Sequence, residues 1–112
     1  MFTTEDLDGV TVVTASHELD ARNSEKAKDE LKELINAGRS KIVVDLSSLG
    51  FIDSSGLGAL VTALKTARQA GGDVRLCGLS TPVRSIFELT RLFRVFDIFD
   101  SRADALKNFN PR

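Results

Sequence analysis

Apolar positions along this chain come in short blocks whose spacing switches between the strand period and the helix period. Val10 to Ala15 (VTVVTA) is apolar and β-branched, the composition of a strand. Phe2 to Glu5 can pair with it as an edge strand through a hairpin turn at Asp8-Gly9. Ala27, Leu31, Leu34 and Ile35 then fall at i, i+4, i+7 and i+8, one face of a helix. Lys28, Asp29, Glu30, Lys32 and Glu33 form its wet face, Asn23 or Ser24 its cap, and Gly38 its stop. Lys41 to Leu46 (KIVVDL) is nearly continuously apolar, as a strand covered on both faces should be. Phe51-Ile52 leads into Asp53-Ser54-Ser55-Gly56, where a second helix begins. It runs to about Ala70, with Leu57, Leu60, Val61 and Leu64 inward and Gly71-Gly72 ending it. Val74 to Cys77 is the next strand. Thr81 caps a third helix with Pro82 at its first position and Val83, Ile86 and Phe87 as its buried stripe. Phe96 to Phe99 reads as a last short strand, and Ser101 with Asp104 as a weak capping box for a terminal helix through Ala105 and Leu106.

The order β-β-α-β-α-β-α-β-α predicts an α/β domain with a mixed, mainly parallel sheet, right-handed crossovers and one antiparallel edge strand. No repeat, low-complexity tract or flexible linker interrupts it. The expectation is one domain over residues 1–112, with a core from about 2 to 108 and a polar C-terminal tail.

Composition narrows the function more than the fold. The chain has 112 residues and is 42% hydrophobic, enough for one core without cross-links. Cys77 is the one cysteine, so no intramolecular disulfide forms; it reads as a small buried hydrophobe rather than a reactive thiol. One Cys and one His (His17) supply a metal site poorly, and no metal or cofactor is expected. No apolar run approaches the ~18 residues of a membrane span. Glu5, Asp6 and Asp8 are the opposite of a basic leader. A cytoplasmic protein without membrane insertion is expected. The net charge of −1 argues against direct nucleic-acid binding, which wants a basic excess. That total conceals a division: residues 1–56 hold 6 basic and 11 acidic side chains, residues 57–112 hold 9 and 5. An acidic face for a specific partner is one reading of it, and ordinary scatter over a solvated surface the other.

Sites in open α/β sheets sit beyond the carboxyl ends of strands. Two polar segments satisfy that rule: Ser16-His17-Glu18-Leu19-Asp20 after the second strand, and Asp53-Ser54-Ser55-Gly56 at the entry to the second helix. Asp53, Ser54 or Ser55 could each cap that helix, which by itself would be a purely structural role. Gly56 and Gly58, however, both fall in its first turns, where Gly costs ~1 kcal/mol against Ala. Two glycines there suggest that another backbone comes close and that a hydroxyl beside them is easy to reach. A phosphate on such a hydroxyl would suit the helix N-terminus and add roughly −1.5 to −2 charges beside Asp53 and near Glu18 and Asp20.

These motifs, in this order, resemble the STAS family, the domain shared by sulphate transporters and anti-sigma factor antagonists. The resemblance spans nearly the whole chain and is strongest to stand-alone bacterial anti-sigma factor antagonists. It is carried by Phe51-Ile52-Asp53-Ser54-Ser55-Gly56-Leu57-Gly58, by the earlier element Glu18-Leu19-Asp20, by Val74 to Phe87, and by Leu92-Phe93 to Ile98. It implies a phosphorylation switch. Ser54 matches the serine that a partner kinase, itself the anti-sigma factor, phosphorylates. The unphosphorylated protein binds that kinase and frees a sigma factor; a PP2C-type phosphatase restores it. Asp20, Asp53, Ser55 and Gly56 fall at the partner-binding surface, with Ser55 a contact or cap rather than the acceptor. The oligomeric state this implies is a monomer or weak dimer. One departure stands out: the family usually has Gly where this chain has His17, and His lacks that freedom at positive φ. The loop beside Ser54 is therefore expected to be shaped differently, and His17 is either a plain surface residue, or a partner contact or pH-sensitive residue.

Two other classes fit less well. A two-component receiver domain would use Asp53 as phosphoacceptor, but it needs an acidic pair after the first strand and a late Lys; Ala15-Ser16 and Phe96 to Phe99 offer neither. A serine hydrolase could pair Ser54 or Ser55 with His17, but the G-x-S-x-G elbow is absent, so no enzyme activity is expected. Within the family, the chain length disfavours transporter tails and stress-sensor scaffolds, and a subunit of a lipid-transport complex is the alternative.

Overall fold

Five strands form one sheet in the spatial order β1-β2-β3-β4-β5. The structure is a computed structural model that describes residues 2–109. The strands are β1 (Phe2–Leu7), β2 (Val10–Leu19), β3 (Lys41–Ile52), β4 (Asp73–Cys77) and β5 (Ile98–Phe99). The helices are α1 (Ser24–Asn36), α2 (Ser54–Gln69), α3 (Thr81–Leu89) and α4 (Arg102–Phe109), with a 3-10 turn at Leu92–Arg94. β1 is antiparallel to β2, and β2-β3, β3-β4 and β4-β5 are parallel, as expected from the element order. Asp8 and Gly9 both take positive φ (54° and 84°), the pair a two-residue hairpin turn of this twist requires.

The continuous apolar run of β3 is explained by cover on both sides. Ile42, Val44 and Leu46 join one cluster with Ala27, Leu31 and Ile35 of α1, Leu60 and Leu64 of α2, and Phe87 of α3. Val43 joins the second cluster with Val10, Val12, Cys77, Ala105 and Phe109, beneath α4. Phe109 is buried and receives the Arg75 guanidinium 4.3 Å from its ring centre. Residues 110–112 of the expected polar tail lie outside the described residues.

Several boundaries move, for identifiable reasons. β2 runs on to Leu19, so Ser16 to Leu19 are strand and not loop; register shifts at Thr14/Ser16 and His17/Glu18 let the polar residues stay paired. β3 runs on to Ile52 for the same reason. The last strand is only Ile98–Phe99, because Phe96 turns inward and packs edge-on against Phe87 at 5.9 Å. Ser80, not Thr81, is the N-cap residue of α3. Its hydroxyl donates to the Leu49 carbonyl at 2.8 Å instead of capping, and Pro82 falls one position later than expected. Leu34, Val61 and Ile86 are only partly buried.

α4 is fastened by charge as well as by apolar contact. Arg102 donates to Asp45 Oδ2 through Nε (3.2 Å) and Nη2 (3.0 Å), to Thr14 Oγ1 (3.1 Å) and to Glu5 (3.3 Å). The other Asp45 oxygen accepts the Ser47 N–H at 2.9 Å and its hydroxyl at 2.7 Å. No described helix is long and apolar enough to cross a membrane.

Candidate partner-binding site

Parallel pairing of β2 and β3 sets Glu18 opposite Phe51 and Leu19 opposite Ile52, so the two polar segments meet at one rim of the sheet. Asp53 follows at once and caps α2: its Oδ1 accepts the Gly56 N–H at 3.0 Å. Its Oδ2 accepts the Ala21 N–H at 3.1 Å, and its own N–H donates to the Leu19 carbonyl at 3.2 Å. One carboxylate thus fixes the helix start and ties it to the loop that carries Asp20.

Gly56 explains how the two can lie so close. A Cβ there would stand 2.4 Å from the Leu19 carbonyl oxygen and 2.8 Å from Ile52 Cγ1. The close approach expected for both glycines holds for Gly56 and fails for Gly58, where a Cβ would meet nothing within 4 Å. Ser54, at the first helical position, is exposed and its hydroxyl is bonded to none of the described residues. Ser55 is exposed on another side of the helix and lines a groove of about 290 Å³ between α1 and α2, with Ser24, Lys28 and Thr62.

Asp20 is buried to 9% exposure and is the most heavily bonded acid of the rim. It accepts from the Arg22 N–H (2.9 Å) and guanidinium (2.8 Å at the shortest), and Arg22 also reaches Glu18 at 2.9 Å. The Arg22 hydrogen bonds hold the Asp20 carboxyl below the usual carboxylate range, outweighing the burial that opposes ionisation. Asn23 stands at the start of α1, but its side chain braces the turn before it. Oδ1 accepts the Asp20 N–H and Nδ2 donates to the Glu18 carbonyl, both at 2.9 Å. Asn23 is thus the cap residue of α1 by position, one of the two expected, but makes no side-chain capping bond.

Sequence reasoning missed Arg22, which turns two of the acids into an ion-paired cluster. An Arg two residues after an Asp carries no motif, so nothing flagged it. His17 is exposed and adopts φ +69°, so the chain keeps the left-handed backbone there, at a cost of about 1 kcal/mol.

The arrangement holds no general base aimed at Ser54 among the described hydrogen bonds; it presents an exposed hydroxyl on a rigid, negatively charged rim, suited to recognition. An anti-sigma F factor antagonist of Paenibacillus polymyxa is 34% identical over 99 residues, 88% of this chain and 85% of that one. The crystal structure of a Thermotoga maritima protein shares the fold with a TM-score of 0.92 at 29% identity, over 96% of this chain and 93% of its own. The Bacillus anti-sigma factor antagonist SpoIIAA shares the fold at 22% identity. Its unphosphorylated form gives a TM-score of 0.86 over 100% of this chain and 98% of its own. Its phosphorylated form gives 0.75 over 96% and 98%. A STAS domain profile matches residues 1–105, and on that match, with the mixed sheet and the Asp53-capped helix entry, the chain belongs to the STAS family.

Proposed function

We propose that this protein is an anti-sigma factor antagonist switched at Ser54. Unphosphorylated, it binds an anti-sigma factor that is also a serine kinase, and so frees a sigma factor. Phosphorylated, it lets go, and a PP2C-type phosphatase resets it. It acts by binding rather than by catalysis, in the cytoplasm, as a monomer or weak dimer. The observation that carries this is the exposed Ser54 hydroxyl on a rim whose other groups are already locked together. The anti-sigma factor antagonists among its relatives support the role, and SpoIIAA supports a phosphorylated state of the fold.

The physics of the switch is local. Transfer of the ATP γ-phosphoryl group to Ser54 Oγ, with ADP leaving, puts roughly −1.5 to −2 charges at the start of α2. The free N–H groups and dipole of a helix N-terminus favour that charge, so the fold survives. The partner meets the bulk and the repulsion instead, and like charges brought together at an interface cost several kcal/mol.

Incubation with the cognate kinase and ATP is expected to add one phosphate, mapped by mass spectrometry to Ser54. Ser54→Ala should bind the kinase like the wild type, and Ser54→Asp at least about tenfold more weakly. A phosphate elsewhere, or equal affinities for the two variants, would defeat the reading.

A further inference from the structure

Phe51 is out of place by ordinary packing rules. It lies in the central strand, between a fully buried stretch (Ile42 to Leu46) and the buried Ile52, yet it is 53% exposed and belongs to neither core cluster. Its cross-strand neighbour is Glu18, held by Arg22, which also holds Asp20. An apolar ring thus stands bare beside an ion-paired rim, the anatomy of an interface core with its polar border. The other exposed apolar side chains, Leu89, Phe93 and Val95, belong to the α3 end and the 3-10 turn, and Phe93 already carries the Arg94 guanidinium 5.9 Å from its ring centre.

We infer that Phe51 is the aromatic anchor by which the partner kinase grips this protein, an inference that rests on the function proposed above. Reach decides it. Phe51 and Ser54 are three residues apart, so their Cα atoms lie within about 11 Å of each other. A specific protein partner covers about 800 Å² on each side, a disc of roughly 16 Å radius. A kinase that engages the Ser54 hydroxyl therefore also covers Phe51, and the chemistry it must offer there is an apolar pocket flanked by polar groups that meet Glu18 and Arg22.

The test is the dissociation constant of the complex with the kinase that phosphorylates Ser54. About half of a phenylalanine's surface, on the order of 100 Å², is left to bury, which corresponds to a ten- to hundredfold loss of affinity for Phe51→Ala. Phe51→Leu should recover most of it. Leu89→Ala should stay within twofold, because Leu89 is 81% exposed at the far end of α3, about 13 Å of helix below the rim. Because the ring belongs to neither core cluster, Phe51→Ala should still be folded at the assay temperature by circular dichroism, so that the affinities compare folded proteins. Wild-type binding with Phe51→Ala within twofold overturns this inference and leaves the functional proposal standing. An equal loss in Leu89→Ala also overturns it. A wild-type chain that the kinase neither binds nor phosphorylates overturns the functional proposal, and this inference with it.

Discussion

The same substitution at Gly56 and Gly58 should have opposite effects two residues apart. Gly56→Ala inserts a methyl group 2.4 Å from the Leu19 carbonyl oxygen and 2.8 Å from Ile52 Cγ1. Even a close C–H···O contact needs about 3.3 Å, so one backbone must retreat by about 0.9 Å. The retreat pulls on the hydrogen bonds that Asp53 makes to Leu19 and Ala21. Overpacking of this kind costs about 3 kcal/mol where the obstacle is backbone, and the helix propensity of Ala over Gly returns about 1. A net loss of about 2 kcal/mol is expected. At Gly58 a Cβ meets nothing within 4 Å, so only the propensity gain remains, about 1 kcal/mol in favour of the variant. In a domain of this size about 1 kcal/mol moves the thermal midpoint by about 4 °C. Gly56→Ala should melt about 8 °C below the wild type and Gly58→Ala about 4 °C above it. Urea unfolding with unchanged slope would confirm that stability alone has shifted. A Gly56→Ala variant as stable as the wild type would refute the claim that backbone contact holds the helix entry against the β2 loop.

Two further outcomes follow from the back of the sheet. Burial pushes the Asp45 carboxyl up, but its Ser47 and Arg102 hydrogen bonds outweigh this and leave it below the ordinary value. A depressed native value means stabilisation that is present above the unfolded value of about 4 and lost as pH falls through the native one. Arg102→Ala should therefore raise the Asp45 titration point, shift acid unfolding to higher pH, and cost about 2 kcal/mol at neutral pH; a carboxyl resonance that titrates unchanged would sink the assignment. Burial, with the nearby Asp45 charge, pushes the Cys77 thiol up to about 11. A disulfide reagent at pH 8 should label it only as fast as the chain opens, and rapid labelling of the native protein would contradict the burial.

What was legible in the sequence was what periodicity encodes. The alternation of spacing set the order of elements, and the run Lys41 to Leu46 announced a strand with cover on both faces. Periodicity failed where polar residues continue a strand. Ser16 to Leu19 looks like loop because its side chains are polar, yet its backbone remains paired with β3 through two register shifts. The Asp53 cap and the close approach at Gly56 were readable, since each is a local rule with one physical cause. The Gly58 expectation failed because a glycine's cost in a helix is a local property, whereas the reason for tolerating it lies in whatever packs against it. Arg22 and Arg102 escaped notice, and the side-chain partners of Asn23 were misassigned, for a related reason: their partners are chosen by tertiary placement, not by spacing.

On the function proposed above, the rim's charge gives a reason why one added group would suffice. Read along the chain, the N-terminal half is strongly acidic and Ser54 sits within it. In the structure Arg22 pairs with both Glu18 and Asp20, and Asp53 spends its carboxylate on two backbone N–H groups. Three carboxylates against one guanidinium leave the rim with a net charge of −2, already satisfied by internal bonds. A phosphate on Ser54 would add roughly as much again. Arg22→Ala should therefore weaken the rim's order in the unphosphorylated protein as well as deepen its charge. On that proposal, the effect of a phosphate would depend less on the total charge of the chain than on how far the existing charges are already paired.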